Sequence, residues 1–188
     1  MASQQGMKYL SAGREALAYV KSKVKAGAAN NPFKLQSSVA GQLRAMDALR
    51  KTRRGEDQTL DAKFVNPADG LRVAQAVAEN AERYGGGNCG EQSAVAYVFL
   101  RRRAVFPIDW VQFKDKDHAF VIIGRSAAGD YAPEDIPKQP WFPDAVICDA
   151  YWSKCEFWSD VIEEYRPSRI TSIHHQESQG QLQQWKNL

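Results

Sequence analysis

The stretch that decides the fold is Gly85-Gly86-Gly87-Asn88-Cys89-Gly90-Glu91-Gln92-Ser93-Ala94-Val95-Ala96-Tyr97-Val98-Phe99-Leu100. Three glycines lead to one cysteine, and an apolar run follows it. Ala94, Val95, Tyr97, Val98, Phe99 and Leu100 spread nearly all round a helix, the pattern of a buried one. Cys89 therefore falls in the first turn of a central helix. Free backbone N–H groups and partial positive charge gather there. Both favour the thiolate, the nucleophilic form of cysteine. Consecutive glycines cost conformational entropy on folding, and close approach of a substrate backbone beside Gly87 would justify them. A buried cysteine is often only a small apolar side chain, but the loop and the helix start together point to catalysis.

Downstream stand the other two chemical groups. Asp117-His118-Ala119-Phe120-Val121-Ile122-Ile123-Gly124 places a histidine at the mouth of a strand over residues 118–125. Ala145-Val146-Ile147-Cys148-Asp149 is a second apolar strand that ends in an acid. Alternation puts Ile147 and Asp149 on one face and Val146 and Cys148 on the other, so Cys148 reads as core. Cysteine, histidine and acid in that order read as nucleophile, base and orienter. Asp149 is the leading acid because a carboxylate ending an apolar strand needs a partner; Asp144 and Asp117 are the alternatives. His174 and His175 lie in a polar tail and are poor candidates. The backbone N–H of Cys89 and the side-chain amide of Asn88 or of Gln92 are candidate oxyanion donors. Glu91 reads as a cap on the helix dipole. Trp152 either shields the histidine–acid bond from water or packs in the core.

Outward from this centre the chain has 188 residues, 44% of them hydrophobic, enough for one compact domain with a core. Apolar spacing predicts a helix over residues 7–25 on Tyr9, Leu10, Leu17, Val20 and Val24. A weaker helix over 39–49 places Leu43, Met46 and Leu49 on one side. Lys51-Thr52-Arg53-Arg54-Gly55-Glu56-Asp57 reads as an exposed linker, so a domain boundary is expected near residue 55. Gly70–Tyr84 is a helix with a stripe of Leu71, Ala74, Val77, Ala78 and Ala81. Residues 109–114 alternate as a strand, joined by a polar turn to the strand at His118, as a hairpin. Residues 126–143 read as a surface loop rich in Gly and Pro. The fold class that results is α+β: a helical N-terminal region, 1–55, ahead of a catalytic domain, 56–188.

Charge divides the chain at the same place. Residues 1–55 hold 11 Lys/Arg and 2 Asp/Glu, a net of +9; residues 56–188 hold 14 and 20, a net of −6. The basic part suits an acidic partner or an acidic membrane surface. Its cations are not interleaved with aromatics, which argues against nucleic acid. No apolar run reaches the length of a transmembrane helix. Met1-Ala2-Ser3-Gln4-Gln5 leads into polar sequence without the apolar core of a secretory signal, and three cysteines make no disulfide framework. A cytoplasmic chain is expected, at least before any export without a cleaved signal. Cys89, Cys148, Cys155 and His118 form no metal-binding pair of the Cys-x-x-Cys type, and the glycine run lacks the Lys-Ser/Thr of a phosphate loop. No metal and no cofactor is expected.

Gly87-Asn88-Cys89-Gly90-Glu91, His118-Ala119-Phe120-Val121-Ile122-Ile123-Gly124 and Val146-Ile147-Cys148-Asp149-Ala150-Tyr151-Trp152 resemble the motifs of papain-fold cysteine enzymes used as bacterial toxins and effectors. That group includes YopT-type peptidases and toxin glutamine deamidases. The family commonly has Pro-Trp after the acid; here Ala150 and Tyr151 stand before Trp152. The resemblance covers about residues 70–155. It implies a papain-like core, with the cysteine helix packed on an antiparallel sheet, and a Cys89-His118-Asp149 triad. It also implies amide hydrolysis on a protein substrate, by protease or glutamine deamidase, with acyl transfer as a further outcome. A cognate inhibitor or chaperone is an implied partner. The alternative is a catalytically inert papain-like binding module that docks a partner through its basic N-terminal region. A chain beginning near Gly55 is expected to keep its chemistry if that region is a separable arm.

Overall fold

The computed structural model describes residues 2–29, 39–59, 70–126, 129–130, 143–165, 169–176 and 178. Five helices and one five-stranded antiparallel sheet are present among them, an α+β fold. In chain order these are α1 (Gln4–Lys23), α2 (Val39–Thr59), α3 (Gly70–Tyr84), α4 (Cys89–Arg102), β1 (Ile108–Phe113), β2 (Ala119–Ile123), β3 (Val146–Asp149), β4 (Lys154–Phe157), α5 (Trp158–Tyr165) and β5 (Ile170–Gln176). The sheet order is β4-β3-β2-β1-β5. None of the described helices is long and apolar enough to cross a membrane.

Period-two alternation sends each strand's side chains to two separate cores. Trp110, Val121, Ile123, Val146 and Cys148 face α1, α3 and α4 in one cluster. Val111, Phe113, Phe120, Ile122 and Ile147 face α5 in the other, against Trp158, Val161 and Tyr165. Helix α4 is buried nearly all round, as its composition predicts. The hairpin of β1 and β2 pairs Trp110 with Val121 and Gln112 with Ala119. On the other side, β2 pairs Val121 with Cys148 of β3. Extended by one residue, that register sets Phe120 opposite Asp149, so His118, just ahead of β2, lies diagonally beside the end of β3.

Three expectations are corrected. Residues 51–57 are not a linker: α2 continues through them, so the boundary expected near residue 55 falls inside a helix. The buried face of α2 is Ala45, Ala48, Thr52 and Gly55, which packs on α3 and the glycine loop. Leu43 and Met46 instead point outward, 61% and 54% exposed. The cause is that small residues at three- and four-residue spacing permit closer helix contact than the larger apolar ones. His174 and His175, expected in a polar tail, lie instead in β5, which pairs with β1 as the edge of the sheet. Of the loop expected over 126–143, only residues 126, 129, 130 and 143 are among those described.

Helix α1 belongs to the main core. Tyr9, Leu10, Ala16, Leu17 and Val20 share one cluster with α4 and the sheet. Its Gly13 lies over the β3–β4 cysteines, where an added Cβ would meet Cys155 Sγ at 2.6 Å. Leu17→Ala should therefore lower global stability by about 2–5 kcal/mol, the usual cost of a core leucine truncation. A separable arm would leave the urea midpoint of the remainder unchanged.

Candidate active site

Cys89 is positioned by the loop before it. Gly85 has φ of +72°, a conformation that side chains disfavour. Gly86 lies so close to α2 that an added Cβ would sit 2.6 Å from Ala48 Cβ and 2.7 Å from Leu49 N. The close approach that Gly86 permits is thus of helix α2. Thr52 Oγ1, fully buried, donates to the Gly86 carbonyl at 2.9 Å. The chain after α1 closes the other side: Ala26 N–H donates to the Gly85 carbonyl at 2.9 Å, and Gly27 bridges to Gly86.

Asn88 then turns the chain into α4. Glu91 caps the helix, its Oε2 accepting from Asn88 N–H at 2.8 Å. Its Oε1 accepts from Arg53 Nε of α2 at 3.0 Å, so the buried carboxylate is both hydrogen-bonded and ion-paired. Asn88 Oδ1 accepts from Ala29 N–H at 3.1 Å. The helical ladder begins with Gln92 N–H to the Asn88 carbonyl. The N–H groups of Cys89 and Gly90 precede it, outside the helical ladder, while the Glu91 N–H donates to the Asn88 side chain in a capping box. Cys89 is 7% exposed, with Sγ 3.7 Å from the Asp117 carbonyl.

His118 joins the cysteine to the acid. Its Nε2 lies 2.6 Å from Asp149 Oδ2, and the nearby Cys89 side chain also favours the charged ring. With Nε2 taken by the carboxylate, Nδ1 is the nitrogen left for the sulfur. Asp149 is fully buried and held by two further donors: Trp152 N–H to Oδ1 at 3.1 Å and Tyr165 O–H to Oδ2 at 3.2 Å. Trp152 stacks on the His118 ring with centroids 4.3 Å apart and planes 21° apart, while 40% of it remains exposed. It covers the imidazole as a lid of aromatic surface. Burial works against a charged His118, but hydrogen bonds to Asp149 and Cys89, and their negative charge, outweigh it and raise its pKa to about 9.

A cavity of about 230 Å³ opens beside Cys89, lined by Arg53, Val77, Asn88, Glu91, Trp110 and Asp117. The structure thus brings Cys89, His118, Asp149, Asn88 and Trp152 together. Gln92 does not line this cavity; it is buried, and its Nε2 donates to the Gly87 carbonyl at 2.8 Å, bracing the loop from below. Asp144 is occupied elsewhere, accepting from Ser3 at the start of α1. Asp117 contributes its carbonyl rather than its carboxylate to Cys89. Sequence reading missed Arg53, hidden in the supposed linker, and Tyr165, which ends the series Trp158, Val161, Tyr165 whose three- and four-residue steps were the available signal of a helix. His174 is half-buried against Tyr97, and burial lowers its pKa to about 4, so it stays neutral in the sheet. No group of three or more metal-ligating side chains stands together among the described residues.

No protein-family model, curated protein or solved structure matches the chain.

A raised histidine pKa has a thermodynamic consequence. His118 binds its proton more tightly folded, near 9, than unfolded, near 6.5. Its stabilisation is therefore complete below about pH 6.5 and is lost as pH rises through about 9. Melting temperature measured from pH 6 to 10 should fall across that window in the parent chain. The fall should be markedly smaller in Asp149→Asn, which removes the main group that favours the imidazolium.

Proposed function

We propose that the chain is a cysteine-dependent amide hydrolase acting on a protein substrate, through Cys89, His118 and Asp149 in a papain-like arrangement. The observation that carries the reading is one imidazole held between a buried carboxylate and a thiol at the start of a buried helix. Such a group of three is the recurring unit of nucleophilic acyl chemistry.

The steps follow from the geometry. With its proton on the His118 ring, Cys89 attacks the amide carbon as thiolate. Its sulfur–carbon bond forms and the carbonyl π pair moves onto oxygen. The backbone N–H groups of Cys89 and Gly90, in the first turn of α4, are the donors available to stabilise that oxyanion. Asn88, which lines the cavity, is the better side-chain donor, because the Gln92 amide is engaged with Gly87. His118 then gives its proton to the leaving nitrogen, and ammonia or an amine departs from a thioester. Water, deprotonated by His118, hydrolyses the thioester and releases a carboxylate and Cys89. Asp149 keeps the ring in its working orientation and stabilises the imidazolium. Peptide cleavage, glutamine deamidation and transfer to an amine share this thioester and differ only in the groups that enter and leave. The resemblance to toxin and effector enzymes supports a target protein outside the producing cell. A cognate inhibitor or chaperone and an acidic membrane surface belong to the same reading.

The inert-module alternative is separated by alkylation. Burial raises the Cys155 pKa to about 11 and moves that of Cys148 upward as well, so both thiols should be slow. Iodoacetamide at pH 7 should label Cys89 well ahead of them; equal, slow labelling would identify an inert module. Intact mass of candidate targets reads the reaction itself, a gain of about one dalton for deamidation against fragments for proteolysis. Cys89→Ala should abolish turnover. Asp149→Asn should reduce it by a factor on the order of 10³–10⁴, by analogy with the serine triads. Turnover in the parent chain should decline above about pH 9, where His118 no longer holds the proton that the leaving group needs.

A further inference from the structure

Helix α2 carries an outward stripe that the proposed chemistry does not use. With its buried face fixed by Ala45, Ala48, Thr52 and Gly55, the opposite line of the helix is Leu43, Met46, Arg50 and Arg54. Leu43 and Met46 are two of the few large apolar side chains exposed among the described residues. Over Val39–Thr59 the helix has Arg44, Arg50, Lys51, Arg53 and Arg54 against Asp47, Glu56 and Asp57, a net of +2, with the cations Arg50 and Arg54 on the stripe. Lys51 is paired with Asp47, and Arg53 with Glu91. Arg50 and Arg54 project from the exposed stripe itself. One end of the stripe reaches the site, because Arg53 is a wall of the Cys89 cavity.

We propose that this face of α2 is a docking strip for an acidic segment of the protein substrate, and that it aligns the adjoining residue with Cys89; this rests on the hydrolase reading above. The order of groups along the helix defines the segment. Cations lie nearest the cavity, and the apolar pair lies farther away. From Arg50 to Leu43 is seven residues, about 10 Å of helix. An extended peptide covers that distance in about three residues. The matching segment has carboxylates close to the residue that reacts and a large apolar side chain about three residues beyond them. Charge complementarity steers such a segment and suppresses basic ones, and the apolar pair supplies non-directional burial. An anionic membrane would use the same cations, but the placement of one end of the strip at a nucleophile favours a protein segment.

The test uses the full chain and a fluorescein-labelled peptide, Glu-Glu-Ser-Ser-Leu-Leu, read by anisotropy. Binding should saturate at low salt, weaken as salt is added, and be absent for Lys-Lys-Ser-Ser-Leu-Leu. Arg50→Glu/Arg54→Glu should weaken it tenfold or more, and Leu43→Ser/Met46→Ser several-fold. Lys8→Glu/Lys21→Glu makes the same charge change on α1 and should stay within twofold of the parent. Arg50→Gln/Arg54→Gln gives a milder removal of charge, and thermal melts establish that each variant is folded. Equal loss in the α1 variant would reduce the effect to net charge and overturn the proposal. So would failure of the peptide to bind while phosphatidylserine vesicles capture the parent chain and not Arg50→Glu/Arg54→Glu. Cys89 alkylation in the unmodified chain is read separately. A strip that does not bind leaves the hydrolase reading standing, and an unreactive Cys89 beside an intact strip overturns that reading alone.

Discussion

A Cβ on Gly86 would lie 2.7 Å from the backbone of α2, so the loop before the nucleophile can pass there only as glycine. This contact ties the position of Cys89 to helices that carry none of the chemistry. Thr52 and Arg53, adjacent on α2, reach the loop in two ways: one donates to the Gly86 carbonyl, the other to the carboxylate that caps α4. From the opposite side residues 26–29 hold Gly85 and Asn88. A nucleophile must be held to within a fraction of an ångström to be useful, and a glycine loop alone is too mobile for that. The N-terminal helices are the rigid support.

The sheet distributes Cys148, Cys155 and Asp149 by parity. Cys148 and Asp149 are neighbours in sequence, yet Cys148 faces α1 and Asp149 faces His118. Cys148 and Cys155 are direct partners across β3 and β4, each close to a backbone carbonyl of α1. Burial pushes both thiols up, and they behave as small apolar side chains. Cys89 differs through its place rather than its exposure: a helix start on one side and an imidazole on the other.

What was legible in the sequence follows from the range of the signals. Helix α3, helix α4 and the β1–β2 hairpin have strong periodicity, and their local preference agrees with the fold. The parity of residues 146–149 separated Cys148 from Asp149 correctly. Residues 51–57 misled because charge and a glycine at 55 look like punctuation, whereas a buried face of alanine, threonine and glycine carries little hydrophobic signal. Gly55 is there because Asn80 of α3 approaches it, a contact between residues distant in sequence. His174 and His175 misled because an edge strand paired on one side needs little apolar character. Asn88 and Gln92 were equivalent as amides until tertiary contacts assigned one to the cavity and the other to the Gly87 carbonyl.

Two carboxylates are wholly buried in this sheet, and their partners separate their roles. Asp109 of β1 is paired with Arg125 and accepts from Ser172 Oγ at 3.0 Å, with His175 Nδ1 3.6 Å away. A guanidinium does not release its proton in any accessible pH range. That pair is therefore a fixed electrostatic pin joining β1 to the chain just after β2, with Ser172 of the edge strand β5 bonded to both partners. Asp149 has an imidazole instead, whose proton is held to about pH 9 and can still be transferred to a leaving group. Breaking either pair strands a buried charge, which is costly, so both constrain the fold. The pair at the Cys89 end of the sheet is formed directly with a group that can exchange a proton, and a thiol and an open cavity adjoin it.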